Sequence, residues 1–350
     1  MATVTDHPHN SDRPNATGRV HPTRPAWQVG AQAVLGLAVL LTLMLAAFAW
    51  PATQIAPRDL PIGLAAPDPV AAQIEQGLAR GAEDALKITR VADRTEAERL
   101  IRDRAIYGAI VVGADGAAVL TASAASPVVA QVLGQLAINL GQAFGQQPQI
   151  IDVVPLPADD PRGAGLAAAA LPLVVGGLAA AALFSRILPS AVARLVGAVS
   201  LAALAGLAMA AVLQFWLGSL TGSYWANAGV LALAVAASAT VLLGLERLLG
   251  NAGLGIGAAV LLLLGNPLSG LTSAPELLPR GWGELGQLLP PGAAGTALRS
   301  VAFFDGAGAG QALVVLLSWL GVGIVLSLLP RFRRPAKDRH EAAPVGATVT

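Results

Sequence analysis

Few side chains in this 350-residue chain could do chemistry, and their placement excludes most kinds of it. There is no cysteine, which removes disulfides, thiol nucleophiles and Cys-ligated metals. The four histidines (His7, His9, His21 and His340) lie in the polar ends of the chain, so an imidazole metal site or acid–base pair inside the folded part is excluded. The only lysines, Lys87 and Lys337, follow Leu and Ala, so no Gly-Lys phosphate loop exists. Neither HExxH nor GxSxG occurs. Carboxylate pairs remain. Glu83-Asp84 and Glu96 with Glu98 sit among arginines and read as solvated helix faces held by i,i+4 pairing. Asp159-Asp160 precedes an apolar run and reads as a cation site or as a polar juxtamembrane linker. Arg299 and Asp305 flank Ser300–Phe304. They either line a lateral entrance or lipid head-group contact, or form a salt-bridged anchor for the last apolar run. No nucleophile–base pair is present, so neither an enzyme nor a cofactor is expected.

The elements that hold these groups are mostly apolar. Hydrophobic residues make up 55% of the chain and charged ones 12%, with a mean hydropathy of +0.64, which points to a polytopic membrane protein. The net charge is +1, with no basic stripe outside the two ends, so no nucleic-acid partner is expected.

Residues 1–28 read as a disordered leader with Arg13, Arg19 and Arg24. Val29 to Trp50 is long enough to cross a bilayer, and its length and polar leader favour a retained anchor over a cleaved signal. Residues 51–163 carry an α/β pattern. Strands are expected at Leu60–Ala66, Ile88–Ala92, Ile106–Val112, Ala117–Ala122 and Ile150–Val154. Helices are expected after Asp68-Pro69, after a Thr95/Glu98 capping box and after Ser126-Pro127. A domain of roughly a hundred residues can bury its own core. Residues 164–330 then hold five apolar runs, about Leu166–Leu188, Leu195–Leu217, Ala226–Leu245, Leu248–Leu264 and Gln311–Leu329. The fold class is therefore a mainly α membrane protein with six transmembrane helices and an extracytoplasmic α/β domain between helices 1 and 2. Gly253, Gly255 and Gly257, with Gly176-Gly177, Gly321 and Gly323, supply close helix packing or a dimer face. Trp216, Tyr224, Trp225 and Trp282 read as interfacial belt residues.

Between the last two runs lies 265–306, too apolar for a water-filled loop and too broken to span. Pro267, Pro275, Pro279, Pro290 and Pro291 each remove a backbone donor, and Glu276, Arg280 and Glu284 add charge. Lipid tolerates no stranded amide, so this segment must be a re-entrant or interfacial pair of half-helices lined by protein. Arginines place it. Those of the leader, Arg186 and Arg194, Arg247 and the 331–350 tail fall on one side of a six-span topology, which is then cytoplasmic. Both termini are expected there, and the α/β domain and broken segment outside.

This order resembles the permease subunits of ABC-2-type exporters, including the related YhgE/Pip-like and DUF3533-like membrane proteins. The likeness rests on Thr95-Glu-Ala-Glu-Arg-Leu-Ile-Arg-Asp-Arg-Ala-Ile-Tyr-Gly-Ala-Ile-Val-Val in the outer domain. It rests also on Asn266-Pro267, Leu289-Pro290-Pro291 and Ala297-Leu298-Arg299 before the last run. It implies a plasma-membrane exporter of a hydrophobic or amphipathic molecule, working as a homodimer or heterodimer in contact with membrane lipid. A separate ATP-binding subunit would power it. Asn266, Pro267, Trp282, Pro290, Pro291, Arg299 and Asp305 would line the substrate path, and Arg186 and Arg194 would contact the ATPase. The link Ser185–Arg194 departs from the family by lacking the longer acidic docking stretch. A scaffold whose outer domain binds a protein or cell-envelope ligand is the other reading.

Overall fold

A computed structural model of the chain describes residues 25–81, 84–113, 116–145 and 147–330. Most of the leader, Glu83 and the basic tail expected to fix the orientation lie outside the described residues. Helix α1 covers Ala26–Thr53. The chain divides after Leu45 into an N-terminal piece and one body, Ala46–Thr350.

The sheet domain follows the expected order. It runs β1 Leu60–Ala65, α2 Asp68–Gly81, β2 Leu86–Arg90, α3 Arg94–Arg102, β3 Ala109–Gly113, β4 Gly116–Thr121, α4 Pro127–Phe144 and β5 Gln149–Asp152. The spatial order is β2-β1-β3-β4-β5. All pairs are parallel except β3–β4, whose strands follow each other too closely in the chain for a crossover helix. Ser126 caps α4 as its position predicts, accepting from the Val129 N–H at 3.2 Å ahead of Pro127. The box on α3 lies two residues earlier than expected. Asp93 accepts from the Glu96 N–H at 2.8 Å, and Glu96 Oε2 accepts from the Ala92 N–H at 2.7 Å. The spacing occurs twice in Asp93-Arg-Thr-Glu-Ala-Glu98. The carboxylate at 93 takes the cap, leaving Glu98 to pair with Arg94 at 2.8 Å.

The core of this domain is not its own. Leu60, Ile62, Ala71, Ile74, Ile110, Val119, Val129 and Leu133 are buried together with Ala274 and Leu277 from the broken segment. The expectation of a self-sufficient domain is corrected on this point: residues over a hundred positions downstream complete the apolar layer.

Among the described residues, five helices are long and apolar enough to cross a membrane: Gly30–Thr53, Ala164–Ile187, Ala191–Trp216, Tyr224–Leu249 and Gly310–Leu328. The latter four contain α5 Ala164–Ile187, α6 Ala191–Ala211 with a π-helical turn Val212–Trp216, α7 Tyr224–Leu249 and α11 Gly310–Leu328. The run expected as a sixth span is shorter. Helix α8 Asn251–Ala259 and its π-helical continuation Val260–Gly265 make 15 residues. At 1.5 Å per residue that covers about 22 Å, less than a hydrocarbon core of about 30 Å.

Helix α7 is the axis of the bundle. Its most apolar window is 78% buried, against 28% to 44% for α5, α6 and α11. Small residues let neighbours approach it. Gly177 meets Ser238, Gly206 meets Ala228 and Ala232, Gly257 meets Leu242, and Gly323 meets Thr240 and Val241. The Gly253/Gly257 pair therefore packs within this chain, while Gly255 and Gly321 face open space.

Contacts sort the helix ends into two groups. Arg194 joins the α5–α6 link to Glu246 on α7, and Arg247 Nε donates to the Leu329 carbonyl. At the other end Thr221 Oγ1 donates to the Ala302 carbonyl, and Asp160 sits against Gly165 and Ser219.

Asp160 settles one open sequence reading. Its carboxylate accepts from the Ala164 and Gly165 N–H groups, both at 2.8 Å, and so caps α5. Burial alone would raise its pKa. The N–H groups of Gly165, Ala164 and Gly163 and the Ser219 hydroxyl outweigh that and hold it below the ordinary carboxylate value. A depressed folded-state pKa means stability present above the unfolded value of about 3.9 and lost as pH falls through the folded one. Asp160→Asn is expected to lower the unfolding temperature at pH 7 and to flatten its fall below pH 4, read by thermal unfolding in detergent.

Candidate functional site

The broken segment resolves into a 3₁₀ turn Pro275–Leu277, α9 Trp282–Gln287 and α10 Pro290–Phe303. The segment thus holds two short helices, α9 and α10. Pro290 and Pro291 sit at the first positions of α10, where the missing N–H groups have no intrahelical acceptor to lose. Gly281 (φ 80°) turns the chain into α9, a conformation side chains rarely adopt. A methyl on Gly286 would overlap the Leu268 carbonyl, so α9 can lie this close only with glycine there.

The sheet domain grips this segment along its length. The Ala56 and Arg58 N–H groups donate to the Leu277 and Glu276 carbonyls at 3.1 and 3.0 Å. Arg58 Nη1 adds a 2.9 Å bond to the Leu277 carbonyl. Ser126 Oγ donates to the Ser273 carbonyl at 2.7 Å, and Tyr107 Oη donates to Glu276 Oε2 at 2.7 Å. Arg104, held at φ 59° after α3, reaches α10 by donating to the Thr296 carbonyl at 3.1 Å and to Ser300 Oγ. Its guanidinium lies 5.3 Å from the Phe304 ring centre.

Between the two lies a cavity of about 720 Å³. Its cations are Arg58, Lys87, Arg104, Arg280 and Arg299, and its acids Asp59, Glu276 and Glu284, five against three. Arg280 pairs with Asp59 at 3.7 Å and with Asp84 at 3.0 Å at the exposed rim. Deeper in, Arg299 is only 4% exposed. Its Nη2 donates to the Leu271 carbonyl at 3.0 Å, and its Nε has no partner. Burial lowers the pKa of Arg299, and neighbouring Arg104 lowers it further. Burial also lowers Arg104, against the opposing pull of Tyr107 and Glu276. Burial, then the Glu276 charge, raises Tyr107 well beyond its ordinary range, keeping it a neutral donor.

A second recess of about 430 Å³ lies across the Leu271–Leu278 segment. Its walls include Phe48, Pro51, Ile55, Leu171, Pro267 and Leu278. Leu278 lines both spaces.

The residues expected along a substrate path thus divide. Arg299 lines the cationic cavity, and Asn266 and Pro267 line the apolar recess. Trp282 packs edge-on against Trp50, ring centres 5.4 Å apart. Pro290 and Pro291 are buried, with Pro291 against Gly265. Asp305 is exposed at φ 50° and makes no ion pair with Arg299. The two arginines expected at an ATPase differ. Arg186 is exposed, whereas Arg194 is bound to Glu246 at 3.1 Å and to the Leu188 carbonyl at 2.9 Å. Sequence reasoning missed Arg104, Tyr107 and the role of Glu276. A carboxylate in a proline-cut apolar stretch needs a donor, and that demand was the available signal. Also missed was Asn227, fully buried at the start of α7, donating to Gln214 Oε1 and the Thr221 carbonyl. Comparison of the chain with protein-family models, curated proteins and solved structures yields no match to any of them.

Proposed function

We propose that this chain is the membrane subunit of an ABC-2-type exporter that moves an amphipathic substrate outward. It would work as a dimer in the plasma membrane with both termini in the cytoplasm, powered by a separate ATPase chain. The observation carrying this reading is the pair of adjoining spaces at the sheet-domain junction, one cationic and one apolar, with Leu278 between them. An amphipathic molecule needs both environments at once, and a segment that is neither span nor loop provides the boundary. In this reading α8 and the turns after it complete a sixth crossing, bringing the chain from the Arg247 end to the sheet domain.

The chain lacks cysteine, which makes the topology directly testable. Glu284→Cys, at an exposed position on α9, should react with a membrane-impermeant maleimide on intact cells. Labelling only after lysis would overturn the outward placement. Purification of the full chain in mild detergent should bring an ATP-binding subunit with it, and deletion should abolish ATP-dependent efflux of an amphiphile. Neither result appearing would remove the transport reading.

The scaffold reading draws on one specific observation. The α5–α6 link is short and its Arg194 is already occupied by Glu246, which leaves little cytoplasmic surface there to dock an ATPase. Efflux retained after removal of 60–152 would count against a scaffold.

A further inference from the structure

We propose that the cationic cavity binds the phosphate group of an amphiphile, whose hydrocarbon part occupies the apolar recess beyond Leu278. This rests on the transport reading for its biological meaning, but its chemistry stands on the site alone. The charge balance is the first argument. Of the three acids, Asp59 is paired with Arg280 and Glu276 accepts from Tyr107, while Glu284 is exposed. Arg58, Lys87, Arg104 and Arg299 form no ion pair with a described residue, and only Glu276 and Glu284 remain to set against these four, so the cavity carries an excess of cations.

The second argument is the state of Arg299. It is more than nine-tenths buried, lines the cavity, and holds an Nε–H with no acceptor. A buried donor without a partner is costly, and near the second, part-buried guanidinium of Arg104 the cost rises. A phosphate removes both penalties, because its oxygens accept from the planar forks of two arginines at once. Tyr107 and Glu276 complete the wall. The cavity is also larger than the anion alone, at about 720 Å³, and leaves room for the group that carries it. The third argument is adjacency. Arg299 donates to the carbonyl of Leu271, and Leu271 itself lines the apolar recess. A head group on Arg299 is therefore one backbone thickness from a hydrophobic space of about 430 Å³.

The test uses the full chain in mild detergent and reads thermal unfolding and equilibrium titration with three probes: dihexanoyl phosphatidic acid, inorganic phosphate and dihexanoylglycerol. The phosphatidic acid should bind saturably and raise the unfolding temperature. Inorganic phosphate should bind at least about tenfold more weakly, and dihexanoylglycerol should produce no saturable shift. Arg299→Gln should weaken the phosphatidic acid at least about tenfold. Should that variant fail to fold, Lys87→Glu at the exposed mouth should still weaken binding several-fold and leave the unfolding temperature of the free protein unchanged. Equal binding of phosphatidic acid and dihexanoylglycerol would overturn the anion site. Equal binding of phosphatidic acid and inorganic phosphate would overturn the amphiphile. Unchanged affinity in a folded Arg299→Gln or in Lys87→Glu would overturn the assignment to this cavity. None of these readouts needs an ATPase or efflux, so a failed transport experiment leaves them standing.

Discussion

Replacing Leu277 by Asp should free the sheet domain from the rest of the molecule. Leu277 is fully buried, in the same cluster as Leu60, Ile62 and Ile74, although it belongs to the broken segment. Truncation to Ala costs about 2–5 kcal/mol at such a site, from lost transfer energy and the cavity left behind. A carboxylate there costs more, because the side chain lies fully buried among apolar neighbours. The Ala56, Arg58, Ser126 and Tyr107 bonds would remain, but each contributes only about 1 kcal/mol net, or somewhat more where charge assists. The expected result is a lower unfolding temperature together with faster proteolysis in the 153–163 connection than in the wild-type protein. A Leu277→Asp protein as protease-resistant as wild type would show that the shared core does not hold the domain in place.

Arg194→Ala should destabilise the bundle by about 2 kcal/mol, because it removes the charged donor of a part-buried, hydrogen-bonded ion pair. The Arg194 and Glu246 side chains are only 13% and 12% exposed, so water screens the pair little and Glu246 would lose a charged neighbour in a partly buried place. The same change also strips the Leu188 carbonyl of its donor. Arg186→Ala, at an exposed site, should change stability by less than about 0.5 kcal/mol. A double-mutant cycle with Glu246→Ala measures the coupling directly. The comparison separates architecture from docking. Loss of a co-purifying ATPase in Arg186→Ala at unchanged unfolding temperature would mark a contact surface. If Arg194→Ala were as stable as wild type, the buried pair would not be structural.

Much of this architecture is written in local pattern. The five strands fall within three residues of where β-branched runs and turn residues place them, because each is bounded by glycine, proline or a helix cap. Pro290-Pro291 announces the start of α10 for the same reason. The site is different. Arg104 and Tyr107 are spaced like residues entering a strand, and Glu276 like a stray charge, with Tyr107 and its carboxylate partner 169 positions apart. No periodicity encodes a meeting at that distance. The capping box shows the limit on a small scale: two equivalent spacings overlap within six residues, and only side-chain competition decides between them.

The residues that close the sheet domain's core have a consequence for biosynthesis. Arg58 and the Leu277 carbonyl it binds are 219 positions apart, so the ribosome must make the long apolar helices α5, α6 and α7 and then α8 before the first domain can finish folding. At about 5–20 residues per second, Leu60, Ile62 and Ile74 wait on the order of ten seconds or more without their lid. During that interval the nascent domain is a sticky half-product, and it needs a holdase or the membrane surface itself to shield it. The part translated early is thus sealed late, and its maturation reports that the chain has been made as far as Leu277.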